Sequence, residues 1–89
     1  MTTLTVQIVK MSPITVINNT AEKIYVSITV STEDNGGTES DEWRDLDAHG
    51  GSNTWGRTSK QVIRFTRSLT PGVLVETVLG VPDTTVNIY

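Results

Sequence analysis

The sequence predicts an all-β protein, a small antiparallel β-sandwich or barrel of seven to eight short strands. Three observations carry that prediction. Apolar and polar residues alternate with period two in several short runs, most clearly over residues 23–31. Asn, Gly and Pro turn signals recur at the roughly 8–12-residue spacing of such folds. Val, Ile, Leu and Thr dominate the composition, and no stretch of useful length has helical periodicity.

Size sets the next bound. With 89 residues and no cysteine, the chain forms one domain, 1–89, that folds on a compact apolar core without disulfides or thiolate metal ligands. A single histidine rules out a multi-histidine metal site, and no cofactor is expected. Nothing approaches the ~20 apolar residues of a membrane span. The start, Met1-Thr2-Thr3-Leu4, lacks the basic and apolar blocks of a signal peptide. A cytoplasmic protein is expected, or a secreted one whose leader has been removed.

In order along the chain, residues 4–10 alternate as a half-buried strand, with Leu4, Val6 and Ile8 on one face. Pro13 interrupts, and residues 14–17 resume a strand. Asn18-Asn19-Thr20 follows as a turn and as a formal N-glycosylation acceptor. On the next strand Ile24, Val26, Ile28 and Val30 face one way, and Tyr25, Ser27 and Thr29 the other. That pattern fixes the register, because a one-residue slip would expose the whole apolar set. Residues 32–42, with Asn35-Gly36-Gly37, read as a flexible acidic loop. Its spacing does not match a calcium loop. A strand at 61–67 puts Ile63 and Phe65 inward. Thr70-Pro71-Gly72 has the order of a type II turn. Residues 73–79, apolar on both faces near their ends, fit a central strand or one covered by a partner. A last strand at 84–89 places Val86 and Ile88 inward. The expected core is Ile24, Val26, Ile28, Ile63, Phe65, Val75, Val86 and Ile88.

The formal net charge of -3 argues against nucleic acid as a partner. The charge is segregated. Glu33, Asp34, Glu39, Asp41, Glu42, Asp45 and Asp47 cluster in one window, and Arg57, Lys60, Arg64 and Arg67 follow it. Two balanced solvated faces account for this. A self-complementary surface setting the register of a homodimer or higher homo-oligomer is the sharper alternative.

Residues 43–57 hold both tryptophans, the histidine and a dense set of hydrogen-bonding side chains. They read as a short strand at 43–46, a turn at 48–51 and a returning strand at 52–57. Each arm carries one tryptophan near an arginine. Catalysis finds little support, since Asp47, His49 and Ser52 lack a nucleophile elbow. Binding is better served. A sugar's apolar C–H face suits a flat aromatic ring, and its hydroxyls suit carboxylates, amides and guanidinium groups. Trp43, Arg44, Asp45, Asp47, His49, Asn53, Trp55 and Arg57 supply those groups and form the expected ligand site, the alternative for either tryptophan, and for Trp55 first, being a core anchor. Trp43 would stack on the ligand, while Asp45, Asp47 and Asn53 would bond its hydroxyls. Arg57 would orient the carboxylates or touch the ligand directly.

The frame Ile14-Thr15-Val16-Ile17-Asn18-Asn19-Thr20, then Ile24-Tyr25-Val26, Trp43 with Leu46, and Gly51-Ser52-x-Thr54-Trp55-x-Arg57 resembles small β-sandwich proteins of mushroom-forming fungi. These are similar in turn to fungal defence lectins and actinoporin-like proteins. The resemblance covers roughly residues 14 to 89. It implies a cytosolic fungal defence protein that binds a glycan or a lipid headgroup. Actinoporin-like chains are longer, with an N-terminal amphipathic helix and an aromatic cluster for phosphocholine, and this sequence shows neither. The reading is therefore a non-enzymatic, lectin-like glycan-binding protein. The alternatives are a lipid-headgroup module and a self-assembling structural protein without ligand.

Overall fold

The computed structural model describes residues 12–32 and 40–89. The strand expected at 4–10 and residues 33–39 of the acidic loop lie outside the described residues. The described chain is all-β, with β1 (Ser12–Asn18), β2 (Ile24–Ile28), β3 (Arg44–Leu46), β4 (Gly51–Arg57), β5 (Gln61–Thr66), β6 (Val75–Gly80) and β7 (Thr85–Ile88). They form a three-stranded sheet in the order β4-β1-β7 and a four-stranded sheet in the order β3-β2-β5-β6. The sheets pack together around a core that includes Ile14, Val16, Ile24, Val26, Ile28, Leu46, Trp55, Ile63, Phe65 and Ile88. Each fully buried Val, Ile, Leu or Phe contributes about 1.5–3 kcal/mol. The period-two pattern thus maps directly onto the packed faces.

Three features differ from the sequence-based expectation. First, β1 and β7 run parallel, pairing Thr15 with Thr85 through Asn18 with Ile88. The chain reaches β7 by crossing from β6 in the other sheet, through a turn in which Thr84 N–H donates to Val81 O at 3.1 Å. A strand that arrives by crossing sheets need not run antiparallel to its neighbour. Second, β6 is an edge strand and not a central one, paired among the described residues only with β5. Val75 is half exposed (51%) and does not belong to the core. Third, β3 pairs with β2 and β4 with β1, so the two arms of residues 43–57 lie in different sheets. The expected hairpin is a crossover between layers.

The turns follow their chemistry. Gly72 has φ +91 and Val73 N–H reaches Thr70 O at 3.3 Å, as the Thr-Pro-Gly order predicts. At the crossover, His49 (φ 59) and Gly50 (φ 104) are left-handed, and their N–H groups donate to Thr20 O (2.9 Å) and Asn18 O (2.6 Å). A Cβ on Gly51 would lie 2.7 Å from Asp47 N, so only glycine fits there.

Candidate functional site

Residues opposite one another across a ladder share a face. On the outer face of the four-stranded sheet this puts Asp45, Tyr25, Thr66 and Val75 in one row. Ser27, Arg64 and Thr77 form the next. Trp43 precedes β3 and lies beside the second row, where the Arg64 guanidinium sits 5.6 Å from its ring centroid. That is cation–π distance. Trp43 remains 44% exposed.

A hydrogen-bonded lattice fixes this arrangement. Arg64 Nη2 donates to Ser27 Oγ at 2.6 Å and lies 3.8 Å from the Asp41 carboxylate. Ser27 Oγ donates to Asp41 O at 2.5 Å. Arg64 Nε is buried with no partner among the described residues. One row away, Lys23 Nζ bridges Asp45 (3.2 Å) and Asp47 (3.8 Å). The hydrogen bond from Lys23 holds the Asp45 carboxyl below its ordinary value. The same bond, with the attraction of Asp45 and Asp47, raises Lys23. The face therefore offers a half-open indole ring, carboxylates and donors within a few side chains of one another.

The eight residues expected from sequence do not form one site. Trp43 and Asp45 lie on this outer face, Asp47 joins them through Lys23, and Arg44 is exposed on the sheet edge. His49 is exposed at the left-handed crossover turn. Asn53 sits in β4 of the other sheet, its Oδ1 accepting from Thr54 N–H at 2.8 Å. Arg57 is a correction to the expected site, and Trp55 takes the core place that was its alternative. Trp55 is 3% exposed, in the core opposite Ile14, and its indole N–H has no partner among the described residues. Arg57 is fully buried, donating to the carbonyls of Thr29, Ile28, Ser40 and Gly56 at 2.8–2.9 Å. Its parity in β4 points it between the sheets, where it ties β4 to the end of β2.

The expected site leaves out Lys23, Ser27, Asp41 and Arg64 of this face, whereas Tyr25 is legible in the sequence as an outward aromatic that a binding surface could use. Tyr25, Ser27 and Arg64 already alternate outward in sequence; the missing information was that β2 lies between β3 and β5. The sequence marks Asn18 as a turn residue and a formal glycosylation acceptor. It is fully buried, its Nδ2 donating to Glu22 O (2.8 Å), Asp47 O (3.0 Å) and Leu46 O (3.1 Å). Its Oδ1 accepts from Thr20 N–H and Oγ1. The amide that would carry a glycan is the pin that joins β1 to the crossover.

A separate recess of about 330 Å³ opens between β6 and β7, lined by Phe65, Val78, Val86 and Ile88, with the Arg67–Glu76 ion pair (2.8 Å) also in its wall. None of the eight expected residues lines it. Among the described residues, no cluster of three or more His, Cys, Asp or Glu side chains is placed to hold a metal ion, and no helix is long and apolar enough to cross a membrane. Comparison with known proteins finds no matching family model, no matching curated protein and no matching solved structure.

Proposed function

We propose that the outer face of the four-stranded sheet, centred on Trp43, binds a glycan without chemical turnover. The observation that carries this reading is the half-exposed Trp43 ring, held by Arg64 at 5.6 Å amid Asp41, Asp45 and Lys23. A ring with no core to fill, fixed beside acceptors and donors, suits the apolar face and hydroxyl rim of a sugar. Asp45 and Asp41 accept hydroxyl hydrogen bonds, and Lys23 and Arg64 donate. Each contact contributes about 1 kcal/mol net, so one site binds in the millimolar to micromolar range. The role in fungal defence rests on the sequence resemblance alone.

A glycan array probed with the full chain, followed by titration of the best sugar, tests the reading. Trp43→Ala lowers affinity more than about tenfold while the fold persists. An array without binders, or binding that ignores Trp43→Ala, overturns it. Sedimentation with phosphatidylcholine vesicles that Trp43→Ala abolishes and free sugars do not compete would assign the face to a lipid headgroup instead.

A further inference from the structure

We propose that β6 is a self-complementary edge through which two copies of the chain join their four-stranded sheets into one continuous antiparallel sheet. The argument begins with backbone direction. Thr29 N–H donates to Val62 O at 3.0 Å, and Val62 N–H donates to Thr29 Oγ1 at 2.9 Å, so Val62 directs both of its polar groups toward β2. Direction alternates along an antiparallel strand. Ile63 therefore faces β6 and bonds its partner Val78, while Val75, Thr77 and Leu79 direct their N–H and C=O groups away from β5. Among the described residues only β5 pairs with β6, and an edge strand's outward groups of this kind are a template for another strand.

The occupant that fits is a second copy. With Thr77 opposite Thr77 of the partner on a two-fold axis, Val75 meets Leu79 and Val73 meets Val81, with no like charges opposed. Every residue with outward backbone groups then faces another such residue. The side chains agree: Leu79 is 57% exposed, Val75 51% and Val62 42%, all on the outer face of the sheet. Glu76, the only charge in β6, belongs to the opposite face and is bound to Arg67. Among the described residues of the charged windows, Asp41 pairs with Arg64, and Asp45 and Asp47 pair with Lys23, all within the subunit. One strand edge with a few apolar side chains is a small contact, below the roughly 800 Å² per partner of a standard interface, so the dimer is micromolar. It sets two Trp43 faces side by side on one sheet.

Light scattering on the full chain from about 1 to 300 µM reads a concentration-dependent dimer, unchanged by added salt and by Trp43→Ala. Leu79→Lys weakens it roughly hundredfold or more, since the Leu79–Val75 contact is lost twice per dimer and each is replaced by an ammonium group set against an apolar side chain. The chain lacks cysteine, so Thr77→Cys gives an unambiguous second readout. Hydrogen-bonded antiparallel partners have Cα atoms about 5.5 Å apart, within disulfide range, and mild oxidation yields a covalent dimer. Thr54→Cys, exposed on β4, does not cross-link. A monomer at every concentration with Thr77→Cys no more reactive than Thr54→Cys overturns the proposal. So does a dimer that survives Leu79→Lys or falls apart in salt.

Discussion

The protein contains two tryptophan–arginine pairs, and they live in opposite environments. Trp55 and Arg57 share the inward face of β4, where the opposing sheet closes over both. Trp43 and Arg64 meet across three strands on an outer face, where solvent reaches the ring. Both pairs combine a flat ring with a guanidinium group, yet one fastens the sandwich and the other is free to contact a ligand. Strand parity and sheet membership, rather than residue type, decide which role a pair takes. Arg57 can be buried because its donors meet carbonyls directly, which spares the cost of burying an unsatisfied charge.

The largest expected effect separates the tryptophans. Trp55→Ala removes a core side chain and destabilises the fold by about 3–5 kcal/mol, a large part of the total for a domain this small. Trp43→Ala costs about 1 kcal/mol or less, the loss of a cation–π contact and partial burial. Urea unfolding of both variants checks this. Equal losses would place Trp43 in the core and dissolve the contrast.

The arginines sharpen it at smaller amplitude. In Arg57→Lys the ammonium group cannot reproduce the fork that reaches Thr29, Ile28 and Ser40. Stability falls by about 2–3 kcal/mol as buried carbonyls lose their donors. Arg64→Lys keeps a cation near Trp43 and costs less than about 1 kcal/mol. Thermal melts of the two variants side by side measure the difference. Similar shifts would mean that Arg64 is as structural as Arg57.

Sequence alone disclosed the strands among the described residues, because period-two alternation reports which side of a strand is buried wherever one face is wet. It disclosed Ile24, Val26, Ile28, Ile63 and Phe65 as core for the same reason. It disclosed β6 as a strand but not its place at the sheet edge, because an exposed edge and a central strand share an apolar composition. Trp55 and Arg57 were misplaced because adjacency in sequence was read as adjacency in space, and the crossover at 47–50 sends the two arms to different sheets. Arg64, distant in sequence, reaches Trp43 only through the strand order. Pairing between sheets is a long-range property that local pattern does not encode.

The smallest effect concerns the charged rim of the outer face and has no counterpart between the sheets. Lys23 and Asp45 are 3.2 Å apart and open to solvent, so their coupling appears in titration far more than in stability. The hydrogen bond from Lys23 holds the Asp45 carboxyl below 3.8, so its contribution is present above that value and fades as pH falls through the folded-state pKa. The raised Lys23 contributes below 10.5 and loses that contribution as pH climbs through its folded-state value. Between those limits the pair is pH-independent. Carbon-detected NMR of the Asp45 carboxylate therefore gives a titration below the ordinary aspartate value in the native chain, moving up toward it in Lys23→Met, where a backbone hydrogen bond still lowers it. Added salt narrows the gap, because exposed charges are screened over about 8 Å at physiological ionic strength. The thermal midpoint of Lys23→Met at neutral pH stays close to that of the native chain. An Asp45 titration identical in both proteins would mean that Lys23 does not hold the carboxylate. The acceptor nearest Tyr25 in the register would then be free to turn toward a ligand without first breaking an ion pair.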